Sequence, residues 1–501
     1  MIETRKEFFI MPPKNLKNNP LLLIALTILF VVLISHFLNG VTILGYTVKP
    51  VDLFMDIKPD SLLNYNSAVI NKNQTKPNYY NAAVEGYNSA IPNSSFLCAV
   101  SWHLLKDAIA PDNSFGKKIS RDGAEYSQQP DFKDVPLTGN LGQMKYFFDA
   151  LKSTKSQKIR VAHYGDSGVE GDAITADIRE VLQKEFGGNG VGFLSITSQD
   201  ITFRTTTKQS FSDNWNTISV LTGNPQNVPL GISGFVSIPQ SGSWVRYATT
   251  DWMPYLSSFG TVRLFYSNAK NSSIKYSFNN GAEESANLRS GSNVQELYLS
   301  APGGKAKSIK ITATMNDQAY FYGVSLENGN GVYVDNFPWR GNTGLGFTKI
   351  PESYMNQFDK LMNYKLIILS FGANEASFGE QDNTWYANQM IKVINNLKKV
   401  FPQTSILVIG VGDKSIKRGT RFVTDPSIPV LIKVQQQIVE KTGVAFWNLF
   451  EAMGGYNSME SWVNANPPLA LMDYTHPSWQ GAAKIGDMIA HAIVKAYNNY
   501  K

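Results

Sequence analysis

The chain has 501 residues, which is too long for one ordinary domain and enough for two or three. Hydrophobic residues make up 43% of it and charged residues 17%, a balance that argues against a disordered charged chain and against a long coiled coil. The 46 basic and 40 acidic residues give a net charge of +6 without a long basic run, so we expect no nucleic-acid partner. The single cysteine, Cys98, excludes an intrachain disulfide framework and a zinc cluster of thiolates.

The first feature along the chain is an apolar run near the N-terminus. Residues 21–38 read LLLIALTILFVVLISHFL and carry no formal charge. As a helix this run would cover about 27 Å, close to the thickness of a membrane core. A cleaved signal peptide, the alternative, has a shorter apolar run and a small-residue cleavage site. We therefore predict a transmembrane anchor at 21–42. The excess of basic residues before it predicts a cytoplasmic tail at 1–20 and a periplasmic or otherwise extracytoplasmic remainder.

Residues 43–135 are poorly patterned. The stretch from about 63 to 95 is rich in Asn, Tyr, Ser and Ala, and weak helical patterns follow near 97–108. We predict a linker, to which the sequence assigns no function.

From residue 159 onward, short apolar runs alternate with helical patterns. The apolar runs are 159–165, 331–337, 365–372, 404–412 and 444–449, and the helical patterns are 172–186, 383–400, 427–441 and 478–498. Near-continuous Val, Ile and Leu strands separated by helices are typical of a parallel sheet buried on both faces. The sequence therefore predicts a doubly wound α/β domain, formed by 136–195 and 331–501.

The segment between the two parts of this domain has a different composition and pattern. Residues 196–330 are rich in Ser, Thr, Asn and Gly, and turn signals recur about every 8–12 residues between short β-type runs. We predict an inserted β-sandwich. Its tryptophans Trp215, Trp244 and Trp252 suit either stacking on sugar rings or packing in a core, and the sequence leaves this open.

Two segments carry residues that suit nucleophilic catalysis. Ser167 follows the first strand, and doubly wound sheets bind ligands at the carboxyl ends of their strands. His476 lies just before the last helix, three residues after Asp473. A serine nucleophile needs a base, and the base needs a carboxylate that orients it. Each segment alone also has a structural explanation, as a helix N-cap or as a turn carboxylate beside a surface histidine.

Two further turns follow strands of the same predicted sheet. Asn374 comes directly after the third strand, where its side-chain amide suits donation to a developing oxyanion. Gly341 comes after the second strand, where its backbone N–H suits the same role. Gly188, Gly190 and Gly192 are rivals for that role. Taken alone, each of these turns is also explained as an ordinary strand ending.

As a set, these segments resemble SGNH-type hydrolases of the GDSL superfamily, whose order of Ser, Gly, Asn and His matches Ser167, Gly341, Asn374 and His476. The resemblance covers about 136–195 plus 331–501, and it implies a flavodoxin-like sheet. One departure is Glu375, where the family usually has Asp.

The resemblance also implies a mechanism. Ser167 attacks an ester, His476 acts as the base and Asp473 orients it. The backbone N–H groups of Ser167 and Gly341 and the amide of Asn374 form the oxyanion hole. No cofactor and no metal are implied. His163, four residues before the serine, is expected to pack or to form supporting hydrogen bonds.

The inserted sandwich is similar to the carbohydrate-binding-module-like insert of peptidoglycan O-acetylesterases. This implies a membrane-anchored esterase that removes O-acetyl groups from a cell-wall glycan, peptidoglycan foremost. Two alternatives stay open: an O-acetyltransferase that acetylates peptidoglycan or an exopolysaccharide, with a membrane acyltransferase as partner, and an esterase for another acylated polysaccharide. The basic segment 413–421 fits either a contact with substrate carboxylates or a solvated loop.

Overall fold

The fold is that of a computed structural model, which describes residues 130–199, 201, 204–378 and 383–500 and two short strands at 42–43 and 46–47. Apart from Thr42, the predicted anchor at 21–42 lies outside the described residues, as does most of the predicted linker. Within the described part of the chain, no helix has the length and apolar character needed to cross a membrane. The chain divides into two units, 1–73 and 74–501, and the two short strands are what is described of the first.

The strands differ in length from two to eight residues. In chain order they are β1 (Thr42–Ile43), β2 (Tyr46–Thr47), β3 (Thr138–Gly139), β4 (Lys158–Gly165), β5 (Gly192–Leu194), β6 (Thr207–Phe211), β7 (Trp215–Ser219), β8 (Phe235–Pro239), β9 (Trp244–Thr249), β10 (Thr261–Ser267), β11 (Ser273–Phe278), β12 (Glu284–Asn287), β13 (Gln295–Ser300), β14 (Ser308–Thr314), β15 (Tyr320–Glu327), β16 (Gly331–Pro338), β17 (Tyr364–Ser370), β18 (Ser405–Ile409), β19 (Ser415–Arg418), β20 (Arg421–Thr424) and β21 (Ala445–Trp447).

The helices flank the strands of the α/β domain. They are α1 (Lys145–Leu151), α2 (Thr175–Phe186), α3 (Glu352–Met362), α4 (Thr384–Val400), α5 (Ser427–Thr442), α6 (Leu449–Ala452), α7 (Ser458–Val463) and α8 (Trp479–Tyr500). Short 3₁₀ turns occur at Leu141–Met144, Ser167–Asp172, Pro254–Leu256, Pro302–Gly304, Leu345–Lys349 and Glu375–Phe378.

One sheet forms the centre of the α/β domain. Five parallel strands lie in the order β16-β4-β17-β18-β21, and β3 joins the edge beside β21 in the antiparallel direction. Numbered by position along the chain, the five strands have the order 2-1-3-4-5, which is the flavodoxin-like order. The prediction of a doubly wound parallel sheet is therefore confirmed. Segments such as YKLIILS in β17 form strands here because a parallel strand covered on both faces needs apolar side chains in both directions.

Helices cover both faces of this sheet. On one face, Ile178 of α2 and Ile489 of α8 belong to one apolar core. On the other, Ile394 of α4 and Leu431 of α5 belong to a second core. Helices α2 and α8 approach closely at Gly486, where a Cβ would come within 2.4 Å of a backbone carbonyl. This contact connects the helix that follows Ser167 with the helix that follows His476.

Antiparallel strands between α2 and β16 form two further sheets. One has the order β13-β10-β15-β8-β7 with β5 beside β15, and the other has the order β12-β11-β14-β9-β6. Leu264, Ile309 and Val324 belong to the apolar core between them. These additional sheets fit an inserted sandwich, whose first strand begins at Gly192, before the predicted boundary at 196.

The sheet of the insert that contains β10 and β15 packs against the α/β domain. The rings of Phe265 and Tyr322 lie 5.9 and 5.4 Å from the ring of Phe358 in α3. Beside them, Arg160 of β4 donates a hydrogen bond to Glu327 of β15 over 2.7 Å. Apolar and ionic contacts therefore fix the insert to the α/β domain.

The three tryptophans of the insert have different surroundings. The ring of Trp215 lies 5.8 Å from that of Phe321, at the margin of the sandwich core. Trp244 is half-buried, with Lys310 Nζ 5.2 Å from its ring centre. Trp252 is 43% exposed. Trp215 therefore packs with the core, while Trp252 lies at the surface.

Candidate active site

Ser167 lies in a tight turn at the carboxyl end of β4. It is the first residue of a 3₁₀ turn that Asp166 caps, since the Asp166 carboxylate accepts a hydrogen bond from the N–H of Gly168 over 3.0 Å. Gly165 is required by space, because a Cβ there would come within 2.8 Å of a neighbouring valine side chain. The turn therefore places Ser167 at the edge of the sheet where doubly wound folds bind ligands.

The helix after this turn begins later than the sequence predicts. The prediction starts it at residue 172, but Gly171 and Asp172 have φ of 67° and 68°, and α2 begins at Thr175. The buried Asp172 carboxylate accepts hydrogen bonds from Arg179 over 2.7 and 2.9 Å and from Thr206 of the insert over 2.7 Å. These bonds hold a conformation that is unusual for a residue other than glycine, and they fix the serine turn to both domains.

Ser167, His476 and Asp473 form a hydrogen-bonded chain. Ser167 Oγ lies 2.9 Å from His476 Nε2, although the two residues are 309 positions apart in the sequence. His476 Nδ1 lies 2.7 Å from Asp473 Oδ2. Because the protonated Nδ1 donates to the carboxylate, Nε2 is left to accept the proton of the serine hydroxyl. The structure thus brings together the three residues predicted as nucleophile, base and orienting carboxylate.

The loop that holds Asp473 and His476 is ordered by its own backbone. Asp473 Oδ1 accepts hydrogen bonds from the N–H groups of Thr475 and His476, each over 3.0 Å. Tyr474 between them has a left-handed φ of 55°. Burial of the Asp473 carboxyl opposes its ionisation, but the hydrogen bonds and charge of His476 hold its pKa below the ordinary value. Asp473 is therefore an anion at neutral pH and suited to stabilise a protonated imidazole.

Gly341 and Asn374 follow the strands on either side of β4, at the same edge of the sheet. Gly341 has a φ of 72°, and no atom lies within 4 Å of the position that a Cβ would occupy. Asn374 Nδ2 donates to the backbone carbonyl of Asn342 over 3.1 Å, which joins the two turns. Asn342 Oδ1 in turn accepts from the N–H groups of Gly344 and Gly346 over 2.9 and 3.1 Å. Asn342, which the sequence analysis did not single out, thus shapes the turn that carries Gly341.

The rival glycines serve close packing instead. A Cβ at Gly188 would come within 2.4 Å of the Val332 carbonyl, and one at Gly190 within 2.4 Å of the Leu326 carbonyl. Val332 stands at the beginning of β16, which is the edge of the sheet opposite the carboxyl ends. The glycine at the edge that carries Ser167 is therefore the one after β16.

His163 lies beneath the serine turn and is fully buried. Its ring nitrogens lie 2.9 Å from Thr175 Oγ1 and 2.8 Å from Ser370 Oγ. Burial lowers the pKa of His163 to about 3, so its imidazole is neutral at neutral pH. Ser370 also accepts a backbone hydrogen bond from Asp166 over 3.2 Å. This polar cluster links β4, β17 and α2 under Ser167; the sequence signal for it was a histidine inside an otherwise apolar strand.

Glu375 begins a 3₁₀ turn directly after Asn374, and burial raises the pKa of its carboxyl. A cavity of about 100 Å³ behind the serine turn is lined by Gly168, Thr475 and Lys414 among others.

Among the described residues, no group of three or more His, Cys, Asp or Glu side chains is placed to hold a metal ion.

Comparison with known proteins supports the same fold. No family model matches the chain, and no curated protein matches it. A solved structure described as a peptidoglycan O-acetylesterase in action is similar to it with 22% identity and a TM-score of 0.60, over 72% of this chain and 99% of that chain. This likeness shows that the chain shares the fold of that structure, and at this identity it establishes the fold alone.

Two further solved structures match with much lower scores. One is a family two carbohydrate esterase from Cellvibrio japonicus, with 10% identity and a TM-score of 0.26 over 59% of this chain and 99% of that chain. The other is a salicylyl-acyltransferase from a tetracycline biosynthetic pathway, with 12% identity and a TM-score of 0.26 over 60% of this chain and 97% of that chain. Their scores are too low to support an inference.

Proposed function

We propose that the protein is a serine esterase that removes O-acetyl groups from a cell-wall glycan, peptidoglycan foremost. The observation that carries this proposal is the Ser167–His476–Asp473 chain at the carboxyl edge of the parallel sheet. The fold shared with a peptidoglycan O-acetylesterase supports the substrate class. The predicted anchor at 21–42 supports an extracytoplasmic position for the domain, on the side of the membrane where such a glycan lies.

The first half of the reaction forms an acetyl-enzyme. Ser167 Oγ attacks the carbonyl carbon of the acetyl ester while its proton passes to His476 Nε2. The charge of Asp473 stabilises the imidazolium that results. His476 then returns the proton to the sugar oxygen, whose bond to the acetyl carbon breaks. The sugar leaves as a free hydroxyl, and the acetyl group stays on Ser167.

The second half repeats these steps with water. His476 takes a proton from a water molecule as the water oxygen attacks the acetyl carbon. The bond between this carbon and Ser167 Oγ then breaks, His476 returns the proton to Ser167 Oγ, and acetate is released. In both halves the carbonyl oxygen becomes an anion. We assign its stabilisation to the N–H groups of Ser167 and Gly341 and to the side-chain amide of Asn374, because these follow three adjacent strands at one edge of the sheet.

The test measures acetate release by the full-length protein in detergent. The substrates are O-acetylated peptidoglycan and 4-nitrophenyl acetate, and the variants are Ser167→Ala and Ser156→Ala. Ser156 is exposed, so its hydroxyl is a matched control. We expect release from both substrates by the wild type and by the Ser156 variant, and none above background by the Ser167 variant. Ser167-independent release, or none by folded wild type, would contradict the proposal. Transfer to an added acceptor faster than release to water would favour the O-acetyltransferase alternative.

A further inference from the structure

A short hairpin follows β18, the fourth strand of the parallel sheet. Its strands β19 and β20 are antiparallel, with Arg418 opposite Arg421. Gly419 and Thr420 form the two-residue connection, and Gly419 has a φ of 61°. Two-residue connections with positive φ are the ones that match the twist of paired strands, so this segment is a built element and not a loose loop.

The hairpin is attached to the loop that carries Asp473 and His476. The N–H of Ser415 donates to the carbonyl of Tyr474 over 2.9 Å. The ring of Phe422 stacks on the ring of Tyr474 with 3.5 Å between centroids and an angle of 4°. Tyr474 lies between the two residues of the catalytic pair, so the hairpin and the histidine loop are held together as one unit.

The end of the hairpin is strongly basic. Lys417, Arg418 and Arg421 are all exposed. The one acidic residue between positions 413 and 424 is Asp413, which is buried at the base of the hairpin with 2% of its surface exposed. Within the part of the chain that the structure describes, none of the three exposed cations forms an ion pair. Three like charges therefore face solvent beside the histidine loop.

We infer that this hairpin is a subsite for carboxylate groups of an acidic acetylated glycan, a proposal that rests on the esterase function proposed above. A strand rises about 3.3 Å per residue, so Arg418 lies roughly 10 Å along the hairpin from Ser415. Lys417 is paired with Phe422, the residue that stacks on Tyr474, so the basic end of the hairpin lies beside the histidine loop. None of the three cations belongs to the Ser167–His476–Asp473 chain. They suit a neighbouring part of a polymer, with arginine able to bind a carboxylate through two parallel hydrogen bonds. A small neutral ester carries no carboxylate for them to bind.

The test compares two sets of three neutralised cations in the full-length protein. The hairpin variant is Lys417→Gln/Arg418→Gln/Arg421→Gln. The control is Lys392→Gln/Lys433→Gln/Lys441→Gln, which removes three exposed charges from helices α4 and α5. Substrates are 4-nitrophenyl acetate, acetylated xylan as a neutral polymer, O-acetylated peptidoglycan with peptide carboxylates, and acetylated alginate with uronate carboxylates.

We expect the hairpin variant to lose about tenfold in kcat/KM on a carboxylate-bearing polymer, the combined size expected of three exposed charge contacts. It should keep wild-type kcat/KM on 4-nitrophenyl acetate and xylan, and the control should match the wild type throughout. The difference in kcat/KM between the wild type and the hairpin variant on these polymers should decrease when the salt concentration is raised to about 0.5 M. Loss on peptidoglycan but not alginate identifies peptide carboxylates as the ligand, and the reverse identifies uronates.

Two results would overturn the inference. One is an equal loss on neutral xylan, which would indicate a structural effect of the substitutions. Another is unchanged hydrolysis of both acidic polymers. If that unchanged hydrolysis is accompanied by reduced sedimentation on phosphatidylglycerol vesicles, the hairpin is assigned to a membrane surface instead. Failure of the esterase proposal is distinguishable, because it would appear as the absence of Ser167-dependent hydrolysis of 4-nitrophenyl acetate by the wild type.

Discussion

The Asp473 carboxylate has two tasks, and its two oxygens divide them. Oδ1 accepts backbone hydrogen bonds that order the loop, while Oδ2 holds the imidazole of His476. An asparagine keeps the size and the backbone contacts but removes the charge that stabilises the imidazolium. We therefore expect Asp473→Asn to lower kcat on 4-nitrophenyl acetate by about 10⁴-fold with little change in KM.

The matched control for this change is Asp487→Asn. Asp487 lies 3.1 Å from the Nδ1 atom of His491 on α8, which is another aspartate–histidine pair at a helical surface. We expect that variant to retain wild-type kcat. A loss below tenfold in the Asp473 variant would contradict the orienting role that we propose for this carboxylate.

Asn374 offers a second test at the residue scale. Its amide donates to the Asn342 carbonyl at the edge of the sheet, where an oxyanion would form beside Ser167. We expect Asn374→Ala to lower kcat by about 10²–10³-fold, the usual loss for one oxyanion donor. Asn464→Ala, at an exposed asparagine that bonds its own helix, should have no effect on kcat. A raised KM with unchanged kcat would instead indicate that Asn374 binds the ground state.

At the scale of elements, the sequence predicted long apolar segments well and short polar ones poorly. The strand predicted at 365–372 is observed at Tyr364–Ser370, and the helix predicted at 383–400 is observed at Thr384–Val400. Both were predictable because burial leaves a continuous apolar run in such a strand and a helical period of apolar residues in such a helix. The β19–β20 hairpin, in contrast, was described only as a basic segment. Its fold depends on contacts with a loop about 50 residues further along the chain, which no local pattern reveals.

The candidate site also contains features that the sequence predicts and features that depend on contacts formed only in the folded chain. The order of Ser167, Gly341, Asn374 and His476 along the chain was enough to predict which turns lie at the edge of the sheet. The contribution of Asn342 was not predictable, because it depends on a side chain that folds back onto its own turn. The break before α2 was missed for a similar reason, since bonds from distant residues hold it.

The packing of α2 against α8 gives a prediction for pH dependence. Asp177 of α2 is half-buried, and burial, followed by the charges of Glu180, Asp172 and Asp487, raises its pKa to about 7. A carboxyl whose folded pKa lies above its ordinary value of 3.8 binds its proton more tightly in the native state. The native state therefore loses stability as the pH rises from about 4 to about 7.

Asp177→Asn removes this loss. We expect the variant to have a higher free energy of unfolding than the wild type at pH 8, with the difference shrinking towards pH 4, as measured by urea denaturation. Asp149→Asn is the control, because that exposed carboxyl has a pKa lowered by a hydrogen bond from Lys152 and should give no gain at pH 8. A variant of Asp177 that is no more stable than the wild type at pH 8 would contradict the argument.

At the scale of the whole molecule, a buried ionic cluster connects the insert with the α/β domain. Glu327 of β15 accepts hydrogen bonds from Arg160 and Lys158 of β4, each over 2.7 Å. Arg160 also donates to Asp335 of β16 over 2.8 Å. A flexible tether would not need such contacts. We infer that the insert is held rigidly beside the serine turn, because burying these charges is costly unless their partners stay in place.

The acid stability of the protein should depend on Glu327. Burial opposes its ionisation, but Arg160, Arg263 and Lys158 outweigh burial and lower its pKa from 4.5 to about 2. A carboxylate with a lowered folded pKa contributes stability that is present above its unfolded pKa and lost as the pH falls. We therefore expect the wild type to lose this contribution between about pH 4.5 and pH 2.

Glu327→Gln should remove the contribution of the Glu327 carboxylate to the free energy of unfolding at neutral pH. Removing one partner of a buried ion pair costs about 3–5 kcal/mol, so the variant should lose that much in the free energy of unfolding at pH 7 and less at pH 3. The control is Glu352→Gln, which breaks an exposed pair with Lys399 and should cost about 0–1 kcal/mol. Equal, small losses in both variants would contradict a rigid ionic connection. The insert would then be held by its apolar contacts with α3, and substitution of Phe358 would be the change that releases it.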